Sequence, residues 1–398
     1  MTSRREFLAV AGVTGTALAF PSLSRAQAGE SVRIGALLPL TGGGGQYGPT
    51  MAKIAQLVAD EVNAAGGVLG RKLELAIEDD QTNPEAGARA ARKLIDVNKV
   101  GALAGVWASS VASAVAPLCW ESKTFLATCA GADSITRLPH QGFIIRTQPT
   151  SGFQGVKIGR FVAELGGRRL AYLGLQTPFT PFTVEGVTNA LKVAGGTVES
   201  VIYEPKKPSY RTEVDKALAG NPDTVMMGGF LDDTTVLARD IFRAGYKGRL
   251  VGFGYTVNQK LIDALPPGTL EGAYGVSGSA AVDGTAYKRL AAKLGQASVD
   301  PFGAQVYDQM NLLVLAIARA KAASGVAIKD SLRAVAQAKD GAKVDNAVDG
   351  IAVIAAGRAV NYDGASGPCD FSEIGDIIEC PFRYEQVKDG KIVLLKIA

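Results

Sequence analysis

Residues Val32 to Asp80 read VRIGALLPLTGGGGQYGPTMAKIAQLVADEVNAAGGVLGRKLELAIEDD, and this stretch narrows the fold more than any other. Val32 to Leu38 has the unbroken apolar character of a strand buried on both faces. Pro39 to Gly48 is a glycine-filled loop. Pro49 suits the first turn of a helix, Met51, Ile54, Val58 and Val62 recur on one face, and Gly66-Gly67 stops it. A second strand follows from Leu73 to Glu78. Strand, helix and strand in this order make a βαβ unit, so the chain is expected to build parallel sheets covered by helices. Ligands of such sheets bind beyond the carboxyl ends of the strands, which singles out Pro39 to Gly48 as a place for a site.

The same alternation continues to about Arg146, and at Thr147 it restarts. One very wide open sheet is uncommon, so the restart predicts a second doubly wound lobe. A chain of 398 residues with 47% hydrophobic content is long enough to fill two cores. A later segment, Val306 to Ala322, is apolar nearly all round and reads as a core helix. Near the end, Asp389-Gly390 has the residues of a hairpin turn.

The run LLPLTG, then QYG, a helix ending in NAAGGVLGRKLEL and a strand ending in EDDQTNP resemble the periplasmic branched-chain amino acid (Leu/Ile/Val-type) binding proteins of ABC importers. The resemblance implies the type I periplasmic binding protein fold, two doubly wound α/β lobes joined by a three-strand hinge. It places residues 29–148 and 279–377 in the N-terminal lobe and 149–278 and 378–398 in the C-terminal lobe. It implies a monomer that captures a small carboxylate or amino acid between its lobes and hands it to membrane permease subunits. No enzymatic step and no cofactor belong to that role.

Ser109-Ser110 and Cys129 to Ala132 both lie between a strand's end and a helix's start, where free N–H groups and the helix dipole favour an anion. In the resembled family these two loops hold the ligand's carboxylate, which makes Ser109, Ser110 and the Ala130 and Gly131 backbone the expected donors. Either serine could instead be a helix cap. Tyr47, Trp107, Phe179, Phe230 and Tyr255 all fall in predicted carboxyl-end loops, a concentration beyond what 7% aromatic content supplies. By resemblance, Tyr47 takes the place of an aromatic on the ligand side chain, and Phe179 and Phe230 the places of two second-lobe aromatics.

The chain departs from that family at two points. Its amino-acid binders carry a glutamate for the ligand's ammonium in the loop where this chain has Gly254 and Tyr255, and a hydroxyl residue where it has Gly131. An ammonium buried without a partner costs about 2–5 kcal/mol, so a carboxylate ligand without an amino group, with an aromatic or branched body, is expected. The alternative is an amino acid whose ammonium meets Asp232 or Asp233, although both also suit a helix N-cap.

Gly43, Gly45 and Gly48 fit G-x-G-x-x-G, which would make the chain an exported dinucleotide-dependent oxidoreductase. Four residues, Pro39 to Gly42, separate the strand from the first of these glycines, whereas that fingerprint needs a tight turn directly after the strand. No G-x-S-x-G supports a nucleophilic serine. The 42 basic and 38 acidic residues nearly balance, with no basic stripe for nucleic acid.

Residues 1–28 carry paired arginines (Arg4, Arg5), an apolar run from Phe7 to Phe20 too short to span a bilayer, and an A-x-A ending. This reads as a cleaved export signal, of twin-arginine (Tat) type, leading to the periplasm. In an oxidising compartment the four cysteines suggest disulfides, Cys369 with Cys380 first and Cys119 with Cys129 second, against four free buried thiols.

Overall fold

A computed structural model describes residues 30–398. The expected export signal therefore lies outside the described residues. The first unit runs β1 (Val32–Leu38), α1 (Gly48–Ala64), β2 (Leu73–Asp79), α2 (Pro84–Arg92), β3 (Ala102–Val106), α3 (Ser109–Glu121), β4 (Phe125–Thr128) and β5 (Ile144–Arg146). Its strands form one parallel sheet in the order β2-β1-β3-β4-β5.

After residues 147–150 the chain enters α4 (Ser151–Glu164) and a second series: β6 (Arg169–Leu175), α5 (Thr180–Val193), β7 (Thr197–Tyr203), α6 (Arg211–Leu218), β8 (Thr224–Gly228), α7 (Leu231–Arg243), β9 (Arg249–Phe253), α8 (Gln259–Asp263) and β10 (Tyr274–Gly278). It then returns to the first core through α9 (Thr285–Leu294), α10 (Pro301–Ala320), α11 (Gly325–Ala336), β11 (Ala342–Val344), α12 (Ala347–Ala355) and β12 (Val360–Tyr362). A last crossing leads to β13 (Phe382–Lys388) and β14 (Lys391–Ile397), which pair antiparallel beside β10. The second sheet has the order β14-β13-β10-β9-β8-β6-β7. Asp389 and Gly390 both have positive φ (52° and 69°), the pairing a two-residue hairpin turn with the right twist requires.

The two lobes are thus doubly wound α/β layers, and each has a switch point where the strand order reverses. In the first sheet it lies between β1 and β3, and in the second between β6 and β8. Crevices open at those points beyond the carboxyl ends. The loops there are Pro39–Tyr47 and Trp107-Ala108 on one side, and Gln176–Phe179 and Gly229-Phe230 on the other.

α10 is buried on every face from Phe302 to Ala318, as its sequence pattern predicts. Asp300 caps its start by accepting from the Phe302 and Gly303 amides, both at 3.0 Å. The cap fixes where Phe302, in the first turn, meets the cleft.

The disulfide expectation is corrected: all four cysteines are free. Cys119 ends α3 below the amino end of β4, and Cys129 follows its carboxyl end. Four strand residues at about 3.3 Å each put about 13 Å between those ends, beyond the ~7 Å Cα limit of a disulfide. Cys369 packs in the first-lobe core, whereas Cys380 packs on the second-lobe core and bonds the Pro381 carbonyl. Burial holds all four thiols protonated, raising Cys129 and Cys380 to about 12.

Candidate functional site

The two switch-point crevices face each other across a cavity of about 60 Å³. At 10–15 Å³ per water this is room for roughly five waters, the scale of one small organic molecule. The first lobe contributes Trp107, Ser109, Ser110, Cys129, Gly131, Gln148 and Phe302; the second contributes Tyr172, Leu175, Thr177, Phe179, Thr180, Gly228 to Phe230, Phe253 and Tyr255.

Seven of these side chains are aromatic, and two ring pairs, Trp107 with Phe230 and Tyr255 with Phe302, meet across the cleft. Trp107 meets Phe230 at a centroid distance of 5.3 Å and Phe302 at 5.5 Å; Tyr255 meets Phe302 at 5.7 Å and stacks on Phe253 at 5.0 Å. Phe179 lies edge-on to Phe253 at 5.3 Å. Such ring pairs bury large apolar areas and prefer the tilted and edge-on arrangements seen here.

The polar end of the cavity is built by α3 and the β4 loop. α3 starts at Ser109 with Ala108 in the capping position, so no side chain caps its first-turn amides. Neither Ser109 nor Ser110 is the helix cap. Ser109 Oγ accepts from the Ala132 amide at 3.1 Å, which leaves its own proton to donate elsewhere. Gly131 lines the cavity, and its N–H makes no hydrogen bond among the described residues. Ala130 differs: its amide already donates to Thr128 Oγ1 at 3.0 Å, and it does not line the cavity.

Below this loop lies Arg146, fully buried. Its Nη1 donates to the Ala132 carbonyl at 2.7 Å, Nη2 to Thr136 Oγ1 at 2.7 Å, and Nε to Asp376 Oδ1 at 2.9 Å, with a second, short contact from Nη2 to the same carboxylate. The guanidinium therefore ties the polar loop to the last interlobe crossing. Gln148, on the first crossing, accepts from Gln305 Nε2 at 2.6 Å through Oε1, leaving its own amide N–H groups for the cavity.

No charged side chain lines this cavity among the described residues. The suggested ammonium partners are corrected accordingly. Asp232 is exposed in the first turn of α7, and buried Asp233 accepts from Tyr210 Oη at 2.6 Å and the Lys206 amide at 2.7 Å, away from the cavity. Phe230, not an aspartate, holds the capping position of α7.

Gly254 does not line the cavity either. A Cβ there would point at Ser277 Oγ (2.7 Å) and Glu385 Oε2 (3.3 Å), behind the wall. Tyr47 stands behind Trp107 and Phe302, at 5.7 and 5.0 Å, and its hydroxyl latches the lobes by donating to the Tyr255 carbonyl.

The glycine loop has a packing role rather than that of a dinucleotide turn. A Cβ on Gly43 would lie 2.5 Å from the Phe230 ring, and one on Gly44 2.7 Å from Trp107. A Cβ on Gly131 would lie 2.6 Å from the Phe179 ring. These glycines let the lobes approach until the rings touch.

Sequence reasoning missed Gln148 and the rings of Tyr172, Phe253 and Phe302; Phe253 is the last residue of its strand and read as core. Gln148 is two residues past a strand end, Tyr172 lies inside a strand, and Phe302 is remote in sequence from every loop it meets. A signal existed only for Phe302, one residue past the Asp300-Pro301 helix start.

The chain matches the family of periplasmic binding proteins over residues 31–391. It is 25% identical to the Leu/Ile/Val-binding protein BraC3 of Rhizobium johnstonii over 386 residues, covering 94% of this chain and 96% of that one. Among solved structures it superposes on the leucine-binding protein LivK of Thermotoga maritima with a TM-score of 0.79 at 23% identity, covering 92% of this chain and 98% of the other. A solute-binding protein of an ABC transporter from R. palustris, in complex with benzoate, superposes with a TM-score of 0.74 at 19% identity, covering 92% and 96%. These proteins are substrate-binding components, not enzymes.

Proposed function

The chain belongs to the periplasmic binding protein family, and from that premise we propose that it captures a small organic acid with an aromatic or branched body, lacking an α-amino group, for an ABC importer. One observation carries this reading: the cavity combines a ring-lined interior and free amide and hydroxyl donors with no charged side chain. A carboxylate finds Ser109, the α3 amides and the Gly131 N–H. An ammonium finds no carboxylate, and leaving it bare is a loss of about 2–5 kcal/mol. The nearby carbonyls are engaged, Gly228 by Tyr203 Oη and Gly229 by Thr256 Oγ1, each at 3.0 Å. The relatives named for leucine, isoleucine and valine favour the amino-acid alternative; the benzoate complex of the R. palustris protein favours the acid.

In this reading residues 1–28 act as a twin-arginine signal, and the mature monomer works in the periplasm. The lobes, 29–148 with 279–377 and 149–278 with 378–398, close on the ligand by bending at the crossings and then present a joint surface to the permease.

Thermal unfolding of the mature protein against each amino acid beside its desamino acid, with benzoate and phenylacetate, tests the proposal. A ligand bound only by the folded state raises Tm by mass action. Stabilisation by the desamino and aromatic acids alone is expected; stabilisation by leucine, valine or phenylalanine instead would overturn it.

The closure geometry makes a second prediction. Gly131→Ser restores the hydroxyl usual in the family but sets its Cβ against Phe179, so closure should lose about 1–3 kcal/mol. The best acid from that panel should then bind about 10- to 100-fold more weakly by calorimetry. Adding Phe179→Ala should recover part of the loss. Unchanged affinity in Gly131→Ser would show that this contact does not govern closure.

A further inference from the structure

Tyr172 occupies the middle of β6, 1% exposed, among Ile158, Val162, Met226 and Val251. A phenylalanine would satisfy those neighbours, yet the position carries a hydroxyl, and that hydroxyl has no hydrogen-bond partner among the described residues. Leaving a buried hydroxyl unpaired forfeits the hydrogen bond it made to water in the unfolded chain, so the position carries a cost that a phenylalanine would avoid.

The surrounding backbone leaves space for it. A Cβ on Gly228 would lie 2.3 Å from the Tyr172 hydroxyl oxygen, and one on Gly174 2.5 Å from its ring. Of the neighbouring hydroxyls, Tyr203 donates to the Gly228 carbonyl and Thr180 to the Leu175 carbonyl, so neither offers its proton to Tyr172, while Thr180 Oγ1 stays beside the Tyr172 hydroxyl as an acceptor.

Tyr172 lines the cavity, and so does Tyr255, whose hydroxyl also makes no hydrogen bond among the described residues. Both phenols stay protonated, since burial raises each above its ordinary value. They belong to the second lobe, whereas Ser109, the α3 amides and Gly131 belong to the first. A ligand held by its carboxylate on the first lobe therefore directs its other end at two phenol donors.

We infer that the captured acid carries a neutral oxygen acceptor, a hydroxyl or keto oxygen, at the end of its body remote from the carboxylate, and that Tyr172, seconded by Tyr255, recognises it. This rests on the organic-acid reading above. Neutrality follows from the absence of any cation lining the cavity among the described residues. One molecule bonded to both lobes would also couple recognition to closure.

A site built to hydrogen-bond an oxygen discriminates sharply against an analogue that lacks it. The test is calorimetric titration of the mature protein with benzoate, 4-methylbenzoate, and 3- and 4-hydroxybenzoate, repeated on Tyr172→Phe. In the wild type one hydroxybenzoate should bind at least tenfold more tightly than 4-methylbenzoate. Tyr172→Phe should cut that ratio at least about fivefold, by weakening the hydroxybenzoate more than 4-methylbenzoate. The wild-type ratio stands even if the variant folds poorly. A wild-type ratio near one, or equal losses for both ligands in Tyr172→Phe, overturns the inference and leaves the organic-acid reading intact. Binding of leucine or phenylalanine with none of the benzoates would sink that reading, and the inference with it.

Discussion

Replacing Arg146 with methionine should lower the unfolding free energy by about 3–5 kcal/mol, the usual consequence of removing one partner of a buried ion pair. The side chain is fully buried and its guanidinium engages Asp376, the Ala130 and Ala132 carbonyls and Thr136. Methionine fills most of the volume and satisfies none of these acceptors. Arg146→Lys should recover little, because an ammonium on a flexible stem cannot reproduce a planar fork directed at four partners. Arg146→Met combined with Asp376→Leu should recover more than the single change, since an apolar pair leaves no stranded carboxylate. Urea unfolding gives the stabilities, and calorimetry with the preferred acid reads the second consequence. Arg146 fixes the carbonyls flanking Gly131, so the single variant should also bind that acid more weakly at temperatures where it remains folded. A loss below about 1 kcal/mol would show that the pair contributes no more than a surface ion pair.

Arg146 also illustrates how far the amino-acid sequence could be read. The alternation of buried strand and amphipathic helix, its restart at Thr147 and the loops at the strands' carboxyl ends were all legible, because each depends on local periodicity and on glycine and proline placement. Ser109, Gly131, Trp107, Phe179, Phe230 and Tyr255 line the cavity for that reason. What could not be read depends on which distant segments meet. Arg146 looked like the end of a strand, and its partner Asp376 lies 230 residues away. The cysteine spacings carried no information about which end of β4 each thiol occupies. Asp233 stood in the right loop, but its carboxylate is used by Tyr210 from another helix's approach.

Asp80 should make the protein lose stability as pH rises from about 4 to 7, and Asp80→Asn should remove that slope. Asp80 is fully buried just beyond β2; Oδ1 accepts from the Thr82 amide at 2.7 Å, and Oδ2 has no partner among the described residues. Burial, assisted by the neighbouring Asp79 charge, raises its pKa to about 7, against the lowering effect of the Thr82 bond. An unfolded chain has this carboxyl near 3.9. Between those values the folded state holds a proton that the unfolded state has released, so the stabilisation is complete below about pH 4 and is lost as pH rises through 7. Three pH units correspond to about 4 kcal/mol. Asparagine stays neutral and keeps an oxygen for Thr82, so the variant should match the wild type near pH 4 and exceed it by up to about 4 kcal/mol at pH 8. The consequence reaches the cleft, because Thr82 Oγ1 accepts from the Gly44 amide and donates to the Thr41 carbonyl, both at 2.9 Å, propping the glycine loop against Phe230 and Trp107. Urea unfolding of both proteins from pH 4 to 8 provides the comparison. Parallel stability curves would show that Asp80 ionises alike in the folded and unfolded chains, whereas convergence at low pH and divergence above 6 is the result its burial demands.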